Sequence, residues 1–275
     1  MASSTRISGS ISASELARTL GSAQHPLVID VRREAAFAAS NYLVCGSIHR
    51  NLENIAAWRS ELPAGRPIIA ACVHGHEVSQ NAAAELQASG LDACYLREGI
   101  EGWIEAGYPH FRKTAIHDGT RATSWITRAR PKIDRIACPW LIRRFIDPLA
   151  LFQYVPADQV LAQADARSAI PFDIPDVTFS HRGETCTFDA MLGDFGIQDT
   201  ALGKMARIIR GADTSRLDLT AQSSGLYAIS LGLANLIEDD HALLDAGMPI
   251  YDALYRWQRD LTAETHAWPP KAIAR

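Results

Sequence analysis

Short apolar runs alternate with helical patterns through the first 112 residues. The runs are Leu27-Val28-Ile29-Asp30-Val31, Pro67-Ile68-Ile69-Ala70-Ala71 and Ala93-Cys94-Tyr95-Leu96. A run that is apolar at successive positions is typical of a strand buried on both faces. Strands that alternate with helices at this spacing predict a parallel sheet covered by helices, which is an α/β fold.

The pattern changes after Phe111. Residues 113–131 show no clear period and carry several basic side chains, so we interpret them as a linker between domain 1–112 and domain 132–275. From Lys132 onward helical patterns dominate, which predicts a mainly α-helical domain. Extended segments at 177–180 and 185–188 flank Arg182-Gly183 and predict a small β-hairpin within it.

The length and composition of the chain exclude several classes of protein. A chain of 275 residues has room for two domains, and its net charge of −4 argues against nucleic-acid binding. Five cysteines without a CxxC spacing indicate free thiols in a reducing compartment. Because no apolar run is long enough to span a membrane, we expect a soluble cytoplasmic protein without a membrane partner.

The stretch Ala-Cys-Val-His-Gly-His-Glu-Val-Ser-Gln, residues 71–80, places Cys72 between a strand and a helix. Gly75 permits a tight turn of backbone N–H groups, and the following helix directs its positive end at the sulfur. Both features favour a thiolate nucleophile that needs no separate base. A zinc or copper site with His74 and His76, and a merely buried thiol, are the alternatives.

Three motifs in this region resemble the single-domain rhodaneses, a sulfurtransferase family. They are Cys72-Val73-His74-Gly75, Ile29-Asp30-Val31-Arg32 followed by Gly46-Ser47-Ile48-His49, and the segment 96–109 with its Trp103-Ile104-Glu105-Ala106-Gly107. The resemblance implies that Cys72 forms a persulfide, and that no cofactor is required. It also implies that Asp30 and Arg32 support the active site. The substrate-binding loop that it implies consists of Val73, His74, Gly75, His76, Glu77 and Val78. Many rhodaneses carry an Arg where this chain has Glu77, and we expect a carboxylate at this position to weaken the binding of thiosulfate, which is a dianion.

Two motifs in the second half carry candidate ligands. Arg135, Arg143 and Arg144 lie on an amphipathic helical pattern and are either a solvated face or an oxyanion site. His181, Glu184, Cys186 and Asp189 have side chains that suit a metal ion or a redox site if the hairpin brings them together.

These motifs resemble the C-terminal domain of ChrB-type chromate-resistance proteins over roughly residues 131–240. The matching strings include Asp134-Arg135-Ile136-Ala137, Trp140-Leu141-Ile142-Arg143-Arg144-Phe145 and Cys186-Thr187-Phe188-Asp189. We therefore expect a sulfurtransferase in a chromate-resistance context, with a small-molecule sulfur donor, a thiol acceptor, and chromate or another oxyanion as further candidate partner. The alternative is a non-enzymatic chromate- or metal-responsive regulator that uses the rhodanese module as a thiol switch.

Overall fold

A computed structural model describes residues 9–52, 55–63 and 65–264. The sequence also predicts a helix over 53–62 and a turn at Pro63-Ala64-Gly65, and of these segments residues 53, 54 and 64 lie outside the described residues. Within the described part, no helix is both long and apolar enough to cross a membrane.

The N-terminal region is built on a five-stranded sheet in the order β1-β6-β5-β2-β4, in which every neighbouring pair is parallel. Its strands, with the antiparallel pair β3 and β7 beside it, are β1 (Ser10–Ile11), β2 (Leu27–Asp30), β3 (Tyr42–Val44), β4 (Ser47–His49), β5 (Ile68–Ala71), β6 (Ala93–Leu96) and β7 (His110–Arg112). The parallel α/β fold predicted from the apolar runs is confirmed.

Helices cover both faces of this sheet. They are α1 (Ala13–Ala17), α2 (Glu34–Ala39), α3 (Ile55–Trp58), α4 (Glu77–Ala88) and α5 (Gly99–Glu105). Ile29 and Ala70 join a core with α3 and α4, whereas the neighbouring Val28 and Ala71 join a core with α1 and α5. Successive residues thus face opposite layers, which is why the strands are apolar at every position.

The C-terminal region is mainly helical, as predicted. Its helices are α6 (Asp134–Leu141), which continues as a helical turn to Ile146, α7 (Val160–Arg167), α8 (Thr187–Phe195), α9 (Thr200–Asp213), α10 (Ala221–Leu236) and α11 (Asp240–Arg256). They pack on a parallel sheet of order β10-β8-β9, made of β8 (Ser124–Arg128), β9 (Leu151–Val155) and β10 (Ile170–Pro171).

Two local expectations in this region were wrong. The linker expected over 113–131 contains β8, the central strand of the second sheet, whose Trp125 and Ile126 are fully buried. The expected hairpin is reduced to a single antiparallel bridge between Arg182 and Thr185. The second arm cannot extend because α8 begins at Thr187, capped by Cys186 and Asp189.

The two regions share one hydrophobic core. Leu20, Phe37, Leu43 and Phe111 of the N-terminal region belong to the same buried cluster as the aromatic side chains of α6 and α11. The Gly46 N–H donates to the Phe145 carbonyl at 2.8 Å, which joins the regions through the backbone as well. They therefore form one packed body in this structure.

Candidate functional site

Cys72 directly follows β5, one of the inner strands of the first sheet. Its side chain joins the core under α4, and the residue is 6% exposed. The sulfur lies 3.1 Å from the Ser79 hydroxyl and 4.0 Å from the His76 carbonyl oxygen. The thiol is thus held at the sheet edge where parallel α/β folds bind ligands.

The loop that follows Cys72 is fixed by the turn between β6 and α5. The Ile100 N–H donates to the Cys72 carbonyl at 2.9 Å, and the Glu101 N–H donates to the Val73 carbonyl at 3.0 Å. Gly75 has φ +75°, and a Cβ there would overlap the Arg97 carbonyl oxygen. Close approach of two backbones therefore explains why glycine occupies this position.

The backbone N–H groups of this loop are unpaired. Within the described part of the chain, none of the N–H groups of residues 73–78 donates to an acceptor. His76 precedes the first residue of α4, so the last of these groups form the positive end of a 12-residue helix. Such a concentration of free donors suits an anion or a thiolate.

The charged loop side chains point to solvent. His74 Nδ1 lies 3.3 Å from a Glu101 carboxylate oxygen, and both side chains are more than half exposed. His76 and Glu77 are exposed, and Val78 packs against the core that holds Cys72. Among the described residues, the ligand atoms of Cys72, His74 and His76 do not form a cluster that could hold a metal ion. The metal alternative for this loop therefore has no geometric support.

Asp30 and Arg32 form a buried ion pair at the end of β2. The closest oxygen–nitrogen distance is 2.6 Å, and Arg32 also donates to the Tyr42 carbonyl at 3.1 Å. Arg32 lines a cavity of about 200 Å³ together with Glu77 and Val78. The structure thus places the pair beside the Cys72 loop, at the same edge of the sheet.

The three arginines of the second region do not share a site. Each guanidinium has separate partners: Arg135 contacts Asp173 at 3.3 Å, Arg143 lies 3.9 Å from Asp245, and Arg144 makes a two-pronged ion pair with Asp252 at 2.8 and 3.0 Å. Of the two interpretations of these arginines, a charge-paired face and an oxyanion site, the described contacts favour the first, because a carboxylate lies within 4 Å of each guanidinium.

The four candidate metal ligands also separate. Cys186 and Asp189 are adjacent, with sulfur and carboxylate oxygen 3.3 Å apart, but they cap α8. Glu184 is exposed and makes no hydrogen bond or ion pair within the described residues. His181 instead points its Nε2 atom at three aspartates that sequence analysis did not select. The expected set is therefore wrong as a set, and only His181 remains in a ligand-rich position.

His181 Nε2 lies 3.1 Å from Asp213, 3.5 Å from Asp173 and 3.8 Å from Asp134. Hydrogen bonds to Asp173 and Asp213 raise the pKa of His181 to about 10. Burial raises the pKa of Asp134 well above its ordinary value, and the charges of Asp213 and Asp173 add to this effect. Burial opposes ionisation of Asp173, but hydrogen bonds from His181 and Thr187 outweigh it and lower that pKa.

Sequence signals for these aspartates are weak. Asp134 lies in the Asp134-Arg135-Ile136-Ala137 motif, but an aspartate at the start of α6 is equally typical of a favourable charge at a helix N-terminus. Asp173 and Asp213 are 39 and 79 residues further along the chain than Asp134, so no local spacing links the three.

Comparison with known proteins assigns both regions. Residues 12–106 match the rhodanese-like domain, and residues 125–258 match the ChrB C-terminal domain. Protein ChrB of Cupriavidus metallidurans is 34% identical over 180 residues, which cover 64% of this chain and 52% of that protein, so the match spans about half the length of this relative. Thiosulfate sulfurtransferase GlpE of Shewanella oneidensis is 35% identical over 80 residues, which cover 29% of this chain and 76% of that protein.

One similar solved structure is that of a full-length protein from Lactobacillus plantarum, with 21% sequence identity and a TM-score of 0.35. The match covers 38% of this chain and 88% of that protein. The two domain matches and the match to GlpE show that the chain belongs to the rhodanese-like family through its N-terminal region and carries a ChrB C-terminal domain in its second half.

Proposed function

We propose that this protein is a sulfurtransferase that carries sulfane sulfur on Cys72, in a chromate-resistance context. The observation that carries the proposal is the position of the Cys72 thiol at the start of a loop whose N–H groups, from residue 73 to 78, have no acceptor in the described part of the chain. These donors and the N-terminus of α4 can stabilise the thiolate and the anions that react with it.

The reaction has two balanced steps. The Cys72 thiolate attacks the outer sulfur of thiosulfate, a new S–S bond forms, and the bond to the sulfonate sulfur breaks so that sulfite leaves with the electron pair. A thiol acceptor or cyanide then attacks the terminal sulfur of the persulfide. This step returns the Cys72 thiolate and yields an acceptor persulfide or thiocyanate.

Thiosulfate or a related anionic donor suits the cavity beside the loop only in part. Arg32 and Arg33 line it, whereas Glu77 places a carboxylate on the same wall. The Arg32 charge is already paired with Asp30, so Arg33 is the cation that remains available to an anion. A donor with less negative charge than thiosulfate is therefore the better fit.

A steady-state assay of thiocyanate formation from thiosulfate and cyanide tests the proposal. Wild type should turn over, Cys72→Ser should lose activity, and Cys94→Ser should retain it because Cys94 is a fully buried strand residue. Failure of wild type to turn over with both thiosulfate and a persulfide donor, or equal rates for wild type and Cys72→Ser, would contradict the mechanism.

A regulator is the second candidate. Similarity to Protein ChrB favours it, and so does the core shared by Phe37, Leu43 and the helices of the second region, which gives a physical route between the regions. In this role Cys72 would accept sulfur without passing it on. A stable, stoichiometric persulfide without turnover would therefore favour the regulator over the enzyme.

A further inference from the structure

We propose that Asp134, Asp173, His181 and Asp213 form a binding site for one divalent first-row transition metal ion. The site lies in the second region, is separate from Cys72, and does not depend on sulfur transfer.

The ligand atoms converge from four separate segments. Asp134 opens α6, Asp173 follows β10, His181 lies in the loop before α8, and Asp213 ends α9. Single ligand atoms of Asp134, Asp173 and His181 all lie within 4.8 Å of one another. Asp213 lies outside this group of three and joins it through His181, whose Nε2 atom is 3.1 Å from the Asp213 carboxylate. Two ligands on opposite sides of a metal are about 4.2 Å apart when each bond is about 2.1 Å long, so a small movement of these side chains would complete coordination.

The Asp134 carboxylate has an oxygen that nothing satisfies. Asp134 is 0% exposed, and its Oδ2 atom accepts the N–H groups of Thr187 at 2.6 Å and Phe188 at 3.3 Å. Its Oδ1 atom is buried and has no hydrogen-bond partner among the described residues. A buried oxygen without a partner costs free energy, and a cation in this cluster would remove that cost.

Outer contacts hold the carboxylates in place. The Thr187 hydroxyl donates to Asp173 at 2.9 Å, and Arg128 and Arg135 each lie 3.3 Å from the other oxygen of Asp173. The Asp134 N–H donates to Asp213 at 3.4 Å. Contacts of this kind orient metal ligands in proteins, and they fix which oxygen of each carboxylate faces His181.

The donor set selects the class of ion. One imidazole and several carboxylates suit Mn²⁺, Fe²⁺ or Zn²⁺, whereas a soft ion such as Cu⁺ prefers thiolates. The Cys186 sulfur is engaged with Asp189 in the cap of α8 and is not one of the proposed ligands. The His181 side chain is 41% exposed, which leaves a path for an ion to enter from solvent.

The competing explanation is an ion-pair network in which a protonated imidazole bridges the aspartates. The two explanations differ in their response to metal, since an ion-pair network gains nothing from Mn²⁺. Titration of the full-length, chelator-treated protein with Mn²⁺, followed by the electron paramagnetic resonance signal of free Mn²⁺, distinguishes them. We expect one bound Mn²⁺ per chain and displacement of it by Zn²⁺.

Two variants test whether the metal ion binds to these residues. Asp213→Asn and His181→Gln alter partly exposed side chains, so both should fold, and each should weaken Mn²⁺ binding about tenfold or more. Asp194→Asn is the matched control, because Asp194 pairs with Arg182 on the nearby surface and should leave binding unchanged. The proposal is overturned if wild type binds neither Mn²⁺ nor Zn²⁺, or if both variants bind as tightly as wild type.

Discussion

The Ser79 hydroxyl lies 3.1 Å from the Cys72 sulfur and also donates to the His76 carbonyl at 3.1 Å. Ser79 is fully buried on the first turn of α4, so this hydroxyl is held next to the thiol whichever atom donates. When Cys72 ionises, the hydroxyl can turn its proton to the sulfur, and a hydrogen bond to a charged group is the stronger kind.

We therefore expect Ser79→Ala to lower kcat/KM for sulfur transfer by about 10- to 150-fold, because a hydrogen bond to an ionised group contributes about 1.5–3 kcal/mol. Ser89→Ala, at the C-terminal end of the same helix, should leave the rate unchanged. Steady-state kinetics at constant pH measures both variants. Equal rates for Ser79→Ala and wild type would show that the hydroxyl does not assist the sulfur.

Glu77 provides a separate test of donor charge. Replacement of this exposed carboxylate by Gln should lower KM for thiosulfate about two- to fivefold, since exposed charge interactions contribute up to about 1 kcal/mol. The effect should shrink at high salt, where the charges are screened. Glu85→Gln, exposed further along α4, is the control and should not change KM. A rise in KM for Glu77→Gln would contradict this view of the cavity.

Because of His25, we expect the folded protein to lose stability in acid. Burial, with the neighbouring charges of Arg66 and Arg144, lowers the pKa of His25 to about 3. The unfolded chain takes up this proton near pH 6.5, so the contribution of neutral His25 is present above pH 6.5 and is lost as the pH falls towards 3. Between pH 6.5 and pH 3, His25 should therefore lower the free energy of unfolding by about 1.4 kcal/mol for each pH unit that the pH falls.

Denaturant unfolding of wild type and His25→Gln between pH 7 and pH 4 isolates the effect, because the other titrating groups are common to both proteins. The stability difference between the two proteins should move in favour of His25→Gln as the pH falls. A difference that stays constant with pH would rule out a neutral buried His25.

Asp252 joins the two regions. It accepts the Trp140 indole N–H at 2.7 Å, the Arg144 guanidinium at 2.8 Å and the Ala23 N–H at 3.2 Å. Asp252→Ala leaves the fully buried Trp140 donor and the Arg144 charge without an acceptor, so we expect the free energy of unfolding to fall by about 3 kcal/mol.

Asp245→Ala is the matched control on α11. Its carboxylate is 76% exposed and lies 3.9 Å from Arg143, so the change should stay within about 0.5 kcal/mol. Chemical denaturation measures both variants. A loss for Asp252→Ala no larger than that for Asp245→Ala would contradict a structural role for this contact.

Sequence patterns predicted the first sheet well because the information is local. The apolar run at Ile68–Ala71 ends at Cys72, and a helix-forming stretch follows directly, so strand, loop and helix are all encoded within about twenty residues. The same holds for Ser12 and Glu15, because a Ser followed three residues later by a Glu is typical of the capping box that the structure contains at α1.

The structure of the second region was harder to predict from the sequence, for physical reasons. Strand β8 has five residues and ends in Arg128, so it carries too little periodicity to stand out from a basic linker. The partners of His181 come from three separate segments, and two of them, Asp134 and Asp213, are 47 and 32 residues away along the chain, so only tertiary packing brings them to His181. Cys186 and Asp189 have residue types that suit a metal, but their spacing of three residues serves a helix cap.

The central claim is that Cys72 carries sulfur, and mass spectrometry tests it most directly. After incubation with thiosulfate, the full-length protein should gain the mass of one sulfur atom, and peptide mapping should place it on Cys72 rather than on the four other cysteines, which are free and buried. Cyanide should remove the added sulfur, and Cys72→Ser should gain none. Absence of the added mass from wild type with thiosulfate and with a persulfide donor, or its presence on Cys72→Ser, would contradict the account.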